Sequence, residues 1–170
     1  MPLKLQLNFA ADAPRGDVMT ICLIAKGGQI VPSLDQDVAA YLIDAMAAVK
    51  FVGATGKTML AYHNRKSYLL IGIGAELNAG TAAENLGGQL FSALEETNAK
   101  HGWLCDHQLE NNVLADICFG AELGSYHFDK YFTENKSDDV KVQLTVGGHG
   151  LQADSPLVAD RKALANGVFV

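Results

Sequence analysis

The chain lacks a membrane-spanning run: no apolar stretch in its 170 residues approaches the roughly 18 to 20 residues that cross a bilayer. It lacks a signal-peptide core as well, since Met1-Pro2-Leu3-Lys4-Leu5 alternates apolar and polar side chains. A cytoplasmic protein without a membrane partner is the expectation. Basic clusters are missing too. With a net charge of −6, a pI near 5.2 and scattered Lys and Arg, the chain has little with which to neutralise phosphates, so nucleic acid is not an expected partner. Cysteine is scarce. Cys22, Cys105 and Cys118 are odd in number and widely spaced in mostly apolar surroundings, which reads as buried free thiols in a reducing compartment and not as a disulfide framework.

What is present is a globular composition, 49% hydrophobic and 19% charged, in a length that suits one domain of ordinary size with a short appendage. The pattern is arranged around Ser67-Tyr68-Leu69-Leu70-Ile71-Gly72-Ile73-Gly74, an uncharged apolar run between Arg65-Lys66 and Glu76. A strand with one wet face would alternate, so this run reads as a strand buried on both faces. Before it, Leu3, Leu5, Leu7 and Phe9 alternate with polar residues as a half-buried strand near a sheet edge, and Val18 to Ala25 forms a second strand ended by Gly27-Gly28. Pro32-Ser33 opens a helix, with Ser33 and Gln36 as a capping box and Val38, Leu42, Ala45, Met46 and Val49 along one face. Lys57 to Tyr62 is strand-like, and the turn His63-Asn64-Arg65-Lys66 joins it to the central strand as a hairpin.

Thr81 and Glu84 form a second capping box, for a helix with Ala82, Leu86, Leu90 and Leu94 as its buried stripe and an end near Lys100-His101-Gly102. Inside it, Gly87 and Gly88 each cost about 1 kcal/mol relative to Ala and read as a close approach of the helix backbone to the sheet. Trp103-Leu104-Cys105 is a short buried strand, Asp106 caps a third helix with Val113, Ile117 and Ala121 on one face, and Val140 to Val146 alternates as a half-solvated last strand. From the second strand onward the order is βαββαβαβ, which describes an α/β fold with a mixed β-sheet flanked by helices.

The chemical motifs are incomplete. Gly56-Lys57-Thr58 matches the end of a phosphate-binding loop, but Phe51 stands where that loop needs its first Gly, and the segment precedes a strand instead of following one. Gly72-Ile73-Gly74 lacks the third Gly of a dinucleotide fingerprint, since Leu77 occupies that place. Cys105-Asp106-His107 has no second Cys or His pair at ligand spacing and reads as a buried thiol, a helix cap and a surface imidazole. His63, His101, His127 and His149 fall in turns or at element ends, where a solvated ring is the usual state. No catalytic, cofactor-binding or metal-ligating residue is assigned.

One stretch is distinctive. Gly120-Ala121-Glu122-Leu123-Gly124-Ser125-Tyr126-His127-Phe128-Asp129-Lys130-Tyr131 resembles the close of the non-catalytic N-terminal domain of leucyl aminopeptidases, the two-metal cytosolic exopeptidases. Phe51 through Gly74 also resembles that family, with Ala54-Thr55-Gly56-Lys57 as a shortened turn, and Ala159 to Val170 is similar to the helix that leads into its catalytic domain. The resemblance implies a macro-domain-like arrangement over residues 1–150 and the start of a linker helix over 151–170. It further implies a homohexameric parent acting on peptides through two divalent metals, zinc or manganese. The ligands for those metals belong to motifs that would lie beyond Val170, in a C-terminal catalytic domain that the chain lacks, so this piece is expected to be inactive and to serve assembly and active-site access. Independently, Ser155 and Pro156 begin a helix in good form, whereas Gly167-Val168-Phe169-Val170 is an apolar ending, as expected of a truncated chain.

A second reading has a different class of partner. Other macro-type domains recognise ADP-ribose, and the loops Gly27-Gly28, Gly72 to Gly80 and Gly147-Gly148-His149-Gly150 could offer backbone N–H groups as an anion nest for such a nucleotide-like ligand.

Overall fold

Alternating and continuous apolar runs sort themselves into the strands and helices of a single sheet with helices on both faces. The computed structural model describes residues 5–10, 12–31, 34–97, 99–104, 109–131 and 142–147, with backbone alone for 126–131. In chain order the elements are β1 (Leu5–Ala10), β2 (Met19–Ala25), β3 (Gln29–Ile30), α1 (Gln36–Ala48), β4 (Thr58–His63), β5 (Lys66–Gly74), α2 (Thr81–Glu96), β6 (His101–Leu104), α3 (Asn111–Tyr131) and β7 (Val142–Gly147). The strands lie in the order β1-β7-β6-β2-β5-β4, with the short β3 paired to β2. β1, β7, β6, β2 and β5 run parallel to their neighbours, while β4 and β3 are antiparallel to theirs. The expected mixed α/β sheet is therefore present.

Pleating then divides the core. Ile21, Leu23, Leu69, Ile71 and Ile73 point to one side and pack with Leu86, Leu90, Phe91 and Leu94 of α2 and Val113, Leu114, Ile117 and Ala121 of α3. Cys22, Ile24, Tyr68 and Leu70 point to the other side and meet Leu42 and Met46 of α1. Each fully buried Leu or Ile contributes roughly 1.5–3 kcal/mol, so both faces must be covered. That explains why β5 carries no alternation: Tyr68 through Ile73 is buried throughout. β5 is not the middle of the sheet, however. β2 and β6 are the central pair and β5 lies one strand in from the β4 edge.

The β4–β5 hairpin forms as expected, His63 pairing with Lys66 across a turn whose Asn64 and Arg65 have φ of +50° and +64°. A two-residue type I′ turn needs positive φ at both positions, and Asn adopts it readily. β1 lies at the sheet edge. β7 departs from its half-solvated expectation: inserted between β1 and β6, it is buried at every position but Gln143. Its polar residue Thr145 tolerates burial because its hydroxyl lies 2.7 Å from His101 Nε2.

Helix ends differ most from expectation. α1 starts at Gln36 with Asp35 as N-cap, so Ser33 is not the cap and lies outside the described residues; Val49, expected on the buried face, is past the helix end and 63% exposed. α2 begins after Gly80 with no side-chain cap from Thr81, and its inward phase falls on Ala83 while Ala82 is exposed. It ends at Glu96, leaving His101 and Gly102 to open β6. α3 begins at Asn111, so Asp106 does not cap it. The glycine pair of α2 meets a helix, not the sheet. A Cβ at Gly87 would fall on the Ile117 carbonyl, and one at Gly120 would fall on the Glu84 backbone. Two helix backbones can approach so closely only where both lack side chains.

Candidate functional site

The glycine-rich loops gather at the carboxyl ends of β2 and β5, where open α/β sheets usually bind ligands. Here the loops are closed against each other. The amides of Gly27 and Gly28 donate to Val52 O, Lys26 N to Gly74 O, Gly56 N to Gly72 O, Gly72 N to Lys57 O and Gly74 N to Gly53 O, all within 2.8–3.3 Å. A Cβ at Gly53 would clash with Ala25 O and one at Gly72 with Ala54 O, so the chain of residues 53–57 is laid directly over the strand ends. An anion nest needs N–H groups aimed outward. The amides of Gly27, Gly28, Gly56, Gly72 and Gly74 are already used in this way and offer no nest to a nucleotide-like ligand; of the third loop, only Gly147 is among the described residues. Gly56-Lys57-Thr58 likewise forms a turn before β4 and no phosphate cradle.

The other ready anion site in such a fold is a helix N-terminus. At α2 it is taken by the protein itself: Gly80 N donates to Asp116 Oδ2 of α3 at 2.7 Å. This buried carboxylate compensates the orphan amides and the positive end of the helix dipole. Sequence reading missed it. The available signal was an acidic residue inside the apolar run Val113 to Cys118, opposite a helix that starts at a bare glycine.

The thiols behave as expected where they are described. Cys22 and Cys118 are buried and in no disulfide, and burial, helped by Glu122, pushes the Cys118 thiol up to about 12, which leaves it unreactive. Cys105, Asp106, His107 and His149 lie outside the described residues. The other histidines are less solvated than expected: His63 stacks on Tyr41 with ring centroids 4.5 Å apart, His101 is half-buried on Thr145, and His127 lies within α3 and not in a turn. Among the described residues no group of three or more His, Cys, Asp and Glu side chains could hold a metal.

A cleft of about 560 Å³ opens at the opposite, amino end of the sheet. Met19 of β2 is in register with Ser67 of β5 and Gly102 of β6, so the three strands begin level and form its floor. Tyr62 of the hairpin, Asp17 before β2, and Lys100 and His101 after α2 form its walls. Burial lowers the His101 pKa below its usual 6.5, so the ring is neutral at pH 7.

The family model for the N-terminal domain of the cytosol aminopeptidase family matches residues 23–135. The chain belongs to that family. Both distinctive stretches, Phe51 to Gly74 and Gly120 to Tyr131, fall inside the matched region. The fold of a tomato leucine aminopeptidase mutant is similar at a TM-score of 0.69 and 15% identity, covering 98% of this chain and 37% of that one. The bottromycin maturation enzyme BotP is similar at 0.54 and 18% identity, covering 89% and 31%. Its complex with Mn gives 0.53 and 18%, covering 88% and 30%. This chain therefore spans about a third of the length of these proteins. No curated protein matches it. Among the described residues no helix is long and apolar enough to cross a membrane.

Proposed function

We propose that this domain is the non-catalytic N-terminal part of a metal-dependent leucyl aminopeptidase that removes N-terminal residues from peptides in the cytoplasm. Its role is in assembly and access to the active site, within a homohexamer that carries the zinc or manganese pair in its C-terminal domains. Residues 1–150 form the domain and 151–170 begin the linker to the catalytic part. The observation that carries this reading is the family match over residues 23–135. A water nucleophile activated by two metals needs carboxylates held rigidly around both ions. The two buried acids of α3 have other neighbours: Asp116 accepts from the Gly80 amide and Glu122 lies beside Cys118.

Calorimetric titration of the chain with Zn²⁺ and Mn²⁺, alongside hydrolysis of a leucyl anilide, tests the reading. Neither stoichiometric binding nor turnover is expected. Tight one- or two-ion binding with turnover would place the catalytic centre here and overturn it.

A further inference from the structure

We propose that the cleft at the amino ends of β2, β5 and β6 binds a free amino acid as its zwitterion. Its volume of about 560 Å³ falls in the usual range for small-ligand sites. Its two formal charges are of opposite sign and come from separate connections, Asp17 before β2 and Lys100 after α2. Both are exposed, and no ion pair joins them among the described residues. A ligand of one sign would meet one of these charges unfavourably. A zwitterion satisfies both, with its ammonium toward Asp17 and its carboxylate toward Lys100.

Polar groups line the rest of the cleft alongside Met19 and Ala99. The Thr97 hydroxyl is committed to Ala93 O and Leu94 O, which leaves the Ser67 hydroxyl and the His101 ring as neutral polar groups at the site. His101 is held by Thr145 at 2.7 Å, which fixes one ring nitrogen. Tyr62, 63% exposed, presents an aromatic face that an aliphatic side chain can cover. The site lies at the far end of the sheet from the sealed glycine loops and involves no peptide-bond chemistry, so it goes beyond the proposed role of the domain.

Amide NMR titrations of the chain with L-leucine, leucinamide, N-acetyl-leucine and N-acetyl-leucinamide test the proposal. Leucine is expected to give saturable shifts at Met19, Ser67 and His101, leucinamide and N-acetyl-leucine weaker ones, and the doubly blocked analogue none. Asp17→Asn is expected to weaken leucine binding about two- to fivefold and leave N-acetyl-leucine unchanged; Lys100→Gln should do the same for leucine and leave leucinamide unchanged. Both positions are exposed, and unchanged spectra away from the cleft verify folding. Absent or non-saturable shifts in the millimolar range, shifts confined to other residues, or an equal response to the doubly blocked analogue overturn the zwitterion site. So does a response to only one of the singly blocked forms. The readout is binding, so its failure leaves the family membership and the absence of catalysis standing.

Discussion

Two buried polar side chains of α3 show how single residues set local stability. Asp116 gives the amide of Gly80, the N-cap of α2, a side-chain acceptor at 2.7 Å. Replacing it by Ala removes that bond and the compensation of the dipole, at an expected cost of about 1–2 kcal/mol in urea unfolding. A change within about 0.5 kcal/mol, the range of neutral surface substitutions, would show that the contact is incidental. Cys118 makes a pH prediction. Its thiol ionises near 9 when solvated and near 12 in the fold. Between those values the unfolded chain binds fewer protons than the native state, so stability falls as pH rises, with the thiol contribution intact below pH 9. Urea midpoints of the native chain should therefore decline more steeply above pH 9 than those of Cys118→Ala; parallel declines would contradict the buried, protonated thiol.

At the scale of elements, the contact between α2 and α3 depends on which glycines face each other. Gly87→Ala would drive a Cβ into the Ile117 carbonyl, and overpacking of this kind costs about 1–3 kcal/mol. Gly88→Ala places its Cβ 3.7 Å from Gly120 O, an ordinary contact, so the gain in helix propensity of up to about 1 kcal/mol should survive. Denaturant unfolding of both variants decides the matter, and equal destabilisation would rule out the close backbone crossing. Much of this architecture was legible beforehand: periodicity separated strand from helix, the uncharged run of β5 announced burial on both faces, and His63-Asn64-Arg65-Lys66 announced the hairpin. Helix starts were not legible, because the acceptor at the start of α2 comes from Asp116, 36 residues away. For the same reason Gly87-Gly88 signalled a close approach without naming its partner. β7 misled through Thr145, a polar residue that pairs with His101 instead of water. The cleft drew no signal at all, since its residues are single members of four separate connections and strand ends.

For the whole molecule, a sheet covered on both faces accounts for a stable α/β domain, and at its carboxyl ends the loops after β2 and β5 are bonded to residues 52–57. The family match covers residues 23–135, and the chain spans about a third of the length of the similar solved structures. The most direct measurement is the nucleotide sequence of the gene downstream of the Val170 codon. A long continuation in the same frame, carrying clustered Asp, Glu and Lys motifs suited to two divalent metals, is the predicted result. A stop codon directly after Val170, with no catalytic domain encoded, would contradict the reading of this chain as the N-terminal part of an aminopeptidase.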